Sequence, residues 1–346
     1  LFTPRPGWAE QNPNHWWDAT VKGLRKLLFK AKIKKEKIAG IGLTGQMHGA
    51  VFLDKNHRVI SPAILWCDQR TYEECEEINE KVGKKKIFEI TCNPVLTGFQ
   101  APKILWLRKN RPDKYEKIKK ILLPKDYIRF LLTGEFASDV SDASGTSLFD
   151  VRKRKWSYEI IEKLGIEKEF LPEVFESTEI TGKITKKVAE KTGLREGIPV
   201  IAGGGDQAAG GVGNGIVKEG YLSVTIGTSG VVFAHSDKII VDPKGRLHTF
   251  CHAVPGKWHL MGVMLSAGGS FRWLRDTLGR EEVERAKKEG KDPYEILTEK
   301  AEKIPPGSEG LIFLPYLTGE RCPYPDPDAK GVFFGLSLNH TWPHII

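Results

Sequence analysis

The chain has 346 residues, 40% apolar and 28% charged, which allows two domains, or one large one, with a sizeable core that needs no disulfide or metal. Its net charge of +9 lies in scattered basic clusters (30–37, 84–86, 117–120, 152–155) that are not interleaved with stacking aromatics, which argues against a nucleic-acid partner. Five cysteines without a C-x-x-C pair and the lack of any apolar run near ~18 residues argue against a disulfide framework, a zinc ribbon and a membrane span, and favour a reducing, cytoplasmic setting.

Residues 3–15 read as a loop, with Pro4, Pro6, Gly7 and Pro13. Asn12-Pro13 then reads as a helix start, with Asn as N-cap and Pro in the first turn. Trp17, Val21, Leu24 and Leu28 recur at helical spacing, so this helix is expected to pack on something. The apolar run 38–43 predicts a buried strand, and TGQMHG (44–49) a turn after it. Strands are expected at 51–53, 63–66 and 121–123, and helices at 69–82, 101–109, 112–119 and 156–165. A further helix over 125–132 is closed by Thr133-Gly134. A second cycle opens with a strand at 198–202, the glycines 203–205, Asp206 and a small-residue helix over 207–213. Strands at 221–226 and 231–234 flank the turn 227–230. The alternation makes the class α/β, with a boundary near 216–220.

Four segments can carry chemistry. In IAGGGDQAAGG (201–211), glycines let a ligand approach the backbone, and Asp206 stands where a strand's carboxyl end opens into a crevice. Asp206 is a candidate proton acceptor; the competing role is a helix cap. IGTSGVV (226–232) offers amides and hydroxyls to phosphate oxygens, or is a plain hairpin. No Walker A motif and no protein-kinase set are present. TGQMHG places Met47 and His48 where they could meet a sugar, or forms a turn with no ligand. In AILWCDQRT (63–71), Trp66 could stack on a sugar face, while Asp68 and Arg70 could hold hydroxyls or each other. His248 and His252 flank Cys251, but four strand residues span about 13 Å, too far for one ion, so no metal ligands are assigned.

These segments, with GWAEQNPNHWW (7–17), APKILWL (101–107), LLPKDYIRFLLTGEFASDVSDASGT (122–146), FCHAVPGKWHLMGVMLSAGG (250–269), FLPYLTGERCP (313–323) and KGVFFGLSLNH (330–340), resemble the FGGY carbohydrate kinases nearly end to end. The resemblance implies an actin/hexokinase-like α/β ATPase: two ribonuclease H-like domains, the second incomplete, with an interdomain cleft. Residues 1–217 would form the sugar-binding, catalytic-base domain and 218–346 the nucleotide-binding one. It further implies ATP-dependent phosphorylation of a small ketose or polyol, with Mg2+ as the metal. D-xylulose is the first candidate, and ribulose, gluconate, glycerol or a non-catalytic sugar-binding fragment are the alternatives. By the same resemblance Asp206 is the catalytic base, and Met47, His48, Trp66, Phe99 and Gln207 contact the sugar. Gly227, Thr228, Gly268 and Arg272 lie near the nucleotide. The expected partners are the sugar and MgATP, with no membrane and no nucleic acid; a homodimer is compatible. Two departures stand out. The family's opening Asp-x-Gly-Thr hairpin and its late adenosine segment are not in this chain, so it is expected to be truncated at both ends. Gln100 also precedes APK where the family usually has Ser, Thr or Pro.

Overall fold

The computed structural model describes residues 1–324, 326 and 328–346. The chain forms two compact units, one of residues 1–221 and 234–260, the other of residues 222–233 and 261–346.

In the first unit the helix Pro13–Ala31 starts as its sequence dictates. The Asn12 side chain accepts the Asn14 amide at 3.0 Å, satisfying one of the orphan donors of the first turn. Trp17, Leu24 and Leu28 pack on a cluster that includes Leu132, Val188, Ile198 and Val200. Val51–Leu53 forms as expected and pairs antiparallel with Lys120–Leu122. Glu10–Gln11, expected as loop, is a short strand on Ala63–Ile64. Two residues carry no periodicity. Asp68 fixes this strand by accepting the Ala9 amide at 2.6 Å, and Arg70 by pairing with Glu10 at 2.8 Å.

The expected strand over 38–43 is broken. Ile41 makes an isolated bridge to Val200, and the regular pairing falls one step later, Thr44–Gly45 running parallel to Gly204–Gly205. The interruption follows from Gly203, whose φ of +83° kinks the partner strand. The expected helix over 69–82 is Tyr72–Ile78 followed by a π-turn, and after Gly83 a further helix, Lys84–Thr91, appears that periodicity had not shown. Helices Gln100–Asn110 and Pro124–Thr133 form, the latter closed by left-handed Gly134. The helix expected over 112–119 is shortened to Pro112–Tyr115. The main core gathers Phe52, Ile104, Leu105, Phe149 and Ile160.

A four-stranded sheet has the order Leu222–Ile226, Gly230–Ser236, Trp258–Met264, His248–Cys251. In the second unit, helices Gly268–Thr277, Arg280–Glu289 and Pro293–Ala301 follow one another, and Ile312–Leu314 pairs antiparallel with Val332–Phe334. Among the described residues no helix is long and apolar enough to cross a membrane.

The histidines flanking Cys251 have separate partners. His248 Nδ1 lies 2.9 Å from Asn93 Oδ1. His252 Nδ1 accepts the Val254 amide at 3.0 Å, so its proton is on Nε2, 3.0 Å from the Ile216 carbonyl. Burial pushes the His252 pKa down to about 4, aided by the facing His235 and by Arg154. The folded value therefore lies below the unfolded one. Between about 6.5 and 4 the unfolded chain binds a proton that the folded chain refuses, so stability is lost as pH falls through that window. His252→Gln, which keeps one donor and one acceptor, is expected to flatten the fall. Urea titrations from pH 7.5 to 4.5 would show this as a smaller slope, by up to about 1.4 kcal/mol per pH unit. An unchanged slope would remove His252 from the account.

Candidate active site

The strand leading to Asp206 is held residue by residue. Ile201 N–H donates to Ile41 O at 3.0 Å, Ala202 N–H to Glu179 O at 2.9 Å, Gly203 N–H to Ser177 O at 3.0 Å and Gly204 N–H to Leu43 O at 3.0 Å. Gly205 N–H donates to Ser141 Oγ at 3.1 Å. A Cβ on Gly203 would stand 2.3 Å from the Leu43 carbonyl oxygen, so this position demands glycine. Asp206 then opens the helix Asp206–Gly213; the N-cap position belongs to Gly205, so the capping role does not fall to Asp206. Its carboxylate is open to solvent, yet enough protein crowds around it that desolvation raises its pKa above the ordinary value, against the pull of the neighbouring Gln207. Gln207 Nε2 reaches Asp206 Oδ2 at 3.4 Å.

The parallel register of Thr44–Gly45 on Gly204–Gly205 delivers the loop 46–49 to the same strand ends. A Cβ on Gly205 would lie 2.9 Å from Met47 Cγ, so Met47 packs directly on the backbone that precedes Asp206. His48 adopts φ +69° and sets its ring against Gly145, where a Cβ would come within 2.4 Å of the imidazole. His48 Nδ1 lies 2.7 Å from the Gly145 carbonyl, which only accepts, so the proton is on Nδ1. Phe99 stacks on the ring at 4.5 Å between centroids. Lys103 Nζ donates to the His48 and Gly98 carbonyls at 2.8 and 2.6 Å. Gln100, the unusual residue before APK, donates to the Gly49 carbonyl at 3.1 Å and so holds the same loop.

Of the residues expected to contact a sugar, Gln207, Met47 and His48 are brought to the strand ends at the expected base, Asp206. Met47 and His48 are 4% and 5% exposed, and Phe99, at 1%, lies behind His48 as its support. Trp66 is 38% exposed and follows Ile64, whose carbonyl accepts the Ala50 amide at 3.1 Å. Asp68 and Arg70 hold each other at 2.7 Å, and the guanidinium lies 3.6 Å from the centre of the Trp8 ring. They are structural, tying the N-terminal segment to the segment that carries Trp66.

Behind Asp206 lies a buried ionic cluster that sequence reasoning did not identify. Lys125 Nζ pairs with Asp126 at 2.5 Å and Asp139 at 3.1 Å, and donates to the Ala202 carbonyl at 3.1 Å. Burial alone would lower the Lys125 pKa, but Asp126, Asp139 and Asp142 together hold it above its ordinary value. Asp139 Oδ2 accepts Ser141 Oγ at 2.5 Å, Ser177 Oγ at 2.8 Å and the Ser141 amide at 2.9 Å. Asp142 is fully buried, and among the described residues neither of its oxygens has a hydrogen-bond partner. Desolvation raises its pKa well above the usual carboxylate range, and nearby Asp126, Asp139 and Asp206 push the same way. The signal was in the sequence, as acids spaced three apart in SDVSD (138–142) with KD (125–126) upstream, but nothing local says that such acids are buried.

In the second unit, three of the four residues expected near nucleotide, Gly227, Thr228 and Gly268, meet at one turn. The Ala267 and Gly269 amides donate to the Thr228 carbonyl at 2.9 and 3.0 Å, and the Gly268 amide to the Gly227 carbonyl at 2.9 Å. A Cβ on Gly268 would stand 2.5 Å from Gly227 O, so glycine permits the helix Gly268–Thr277 to dock on the turn. Arg272, one helical turn on, is exposed and lies 3.6 Å from Asp276. An open, largely apolar cavity of about 650 Å³ lies beside the same helix, lined by Ala267, Ser270, Phe271, Leu274 and Phe313 among others.

A strand-end acid, the Met47-His48 loop beside it and a glycine turn in a second unit define a class of protein. The chain belongs to the FGGY family of carbohydrate kinases: the N-terminal domain model matches residues 1–213 and the C-terminal domain model residues 222–346. Its fold is the two-domain actin/hexokinase-like ATPase type. The chain is 43% identical to the xylulose kinase of Escherichia coli (strain K12) over 337 residues, 97% of this chain and 66% of that protein. It is equally 43% identical to the xylulose kinase of Lactococcus lactis over 344 residues, 99% of this chain and 66% of that protein. The crystal structure of xylulose kinase from Rhodospirillum rubrum superposes with a TM-score of 0.90 at 30% identity, over 100% of this chain and 68% of that one. The chain thus spans just under two thirds of the length of these curated relatives.

Proposed function

We propose that the protein transfers the γ-phosphate of ATP to D-xylulose, yielding D-xylulose 5-phosphate, with residues 1–217 holding the sugar and 218–346 the nucleotide. The carrying observation is the parallel register that seats Met47 against Gly205, one residue before the acid Asp206. The sugar binds against Met47, His48, Trp66 and Gln207, with Phe99 steadying His48 from behind. The Asp206 carboxylate accepts the proton of the attacking terminal hydroxyl. A pKa raised above the ordinary carboxylate value makes it a stronger base. Phosphoryl transfer itself depends mainly on positioning and charge neutralisation. Gly227, Thr228, Gly268 and Arg272 face the nucleotide phosphates. Mg2+ would enter with the nucleotide, and Asp206 is the acid of this chain that would stand beside it. This reading places the enzyme in the cytoplasm and is compatible with a homodimer.

The test is calorimetric titration of D-xylulose into the protein, with D-ribulose and glycerol as comparators. All the proposed sugar contacts lie within residues 46–207, so binding should be seen with this chain. Selective binding of D-xylulose is expected. Preference for ribulose or glycerol, or no sugar binding by the full-length protein, would overturn the substrate assignment.

A further inference from the structure

We infer that Ser141 is a positioning residue for Asp206, fixing the backbone that aims the carboxylate at the sugar hydroxyl; the inference rests on the kinase reading above. The four residues before Asp206 are all tethered, and three of the tethers, at Ala202, Gly203 and Gly204, are to backbone carbonyls. The last and nearest, at Gly205, is to a side chain, the Ser141 hydroxyl. That hydroxyl is itself locked. It donates to Asp139 Oδ2 at 2.5 Å, so its lone pairs are left to receive the Gly205 amide at 3.1 Å. Asp139 in turn pairs with Lys125 and accepts the Ser177 hydroxyl. Lys125 closes the circuit by donating to the Ala202 carbonyl, three residues before Gly205. A fully buried charge pair thus grips both ends of the segment 202–205. Among the described residues its purchase on the residue adjacent to the base is one hydroxyl, and Ser141 is 0% exposed.

A group in this position has no contact with substrate, so its removal should change turnover and not binding. His48 is held by Gly145, Phe99 and Lys103 instead, and Met47, which packs on Gly205, is also held from the side of Gly145. In the full-length enzyme, Ser141→Ala is expected to lower kcat about 10- to 100-fold, the scale of a sub-ångström to 1 Å misplacement, with sugar KM changed by less than about twofold. Ser141→Thr, which keeps the hydroxyl, should recover most of the loss. Independently of activity, hydrogen exchange at the Gly205 amide should quicken at least about tenfold in Ser141→Ala, with protection in the core helices unchanged. A folded Ser141→Ala enzyme with normal kcat, or a loss of kcat that Ser141→Thr does not restore, would overturn the inference. Unchanged exchange at Gly205 would also overturn it, because the tether would then hold nothing. Failure of the wild-type enzyme to phosphorylate any sugar would instead sink the kinase reading, and the catalytic part of this inference with it, leaving exchange to decide the tether.

Discussion

Asp206→Asn is expected to lower turnover of the full-length enzyme by about 10²–10⁴-fold with sugar affinity nearly unchanged. Asparagine has the same shape and can occupy the same first helical position. It retains an oxygen for the Gln207 side chain, but it cannot take a proton. Asp206 is solvent-exposed, among the described residues it makes no ion pair, and its charge is desolvated, so the change should not destabilise the fold. The wild-type enzyme should also lose turnover as pH falls through the Asp206 pKa. Desolvation raises that value, so the acid limb of kcat should lie higher than an unperturbed aspartate would place it. Steady-state kinetics of both enzymes, with calorimetric sugar binding, check the expectation. Near-normal turnover in Asp206→Asn would show that the proton leaves by another route and that the base has been misassigned.

Lys125→Met should be the most damaging change to stability, at about 3–5 kcal/mol, the usual cost of leaving buried charge uncompensated. Methionine fills the volume but offers nothing to Asp126, Asp139 or the Ala202 carbonyl. The deficit should depend on pH. Burial already raises the folded-state values of Asp126 and Asp142 above their unfolded ones. Groups of this kind stabilise the fold at pH values below their unfolded pKa, and that contribution is lost as pH rises through the folded value. Without Lys125 the folded values rise further, so the variant's deficit should widen between pH 5 and pH 8. The buried histidines act equally in both proteins and cancel in the difference. Urea denaturation of both at the two pH values measures it. A deficit under about 1 kcal/mol at pH 8, the range of an exposed pair, would mean the cluster is not what holds the segment before Asp206.

The legible parts of the sequence were those whose cause is local. Asn12-Pro13 starts a helix because the side chain and ring act on the adjacent turn. Gly134 ends one because only a residue tolerant of positive φ fits there. Val51–Leu53 was readable as a short apolar run. The glycines before Asp206 could be seen to demand close packing, and Gly203 and Gly205 meet it against Leu43 and Met47. Lys84–Thr91 escaped because its basic first turn masks the apolar positions Ile87 and Ile90 that bury it.

By itself, then, the sequence determined the α/β class, several helix ends, the turn chemistry and the acid at the end of a glycine-rich strand. Each of these follows from steric limits acting within a few residues. The tertiary structure alone decided that Phe99 supports His48 from behind, that Asp68 and Arg70 pair with each other, and that Ser141 tethers Gly205 from 64 positions away. It also decided which acids are buried. A carboxylate's partners and its desolvation depend on what the fold packs around it, and the residues of Lys125, Asp139 and Asp142 read the same in the sequence whether they face water or the core.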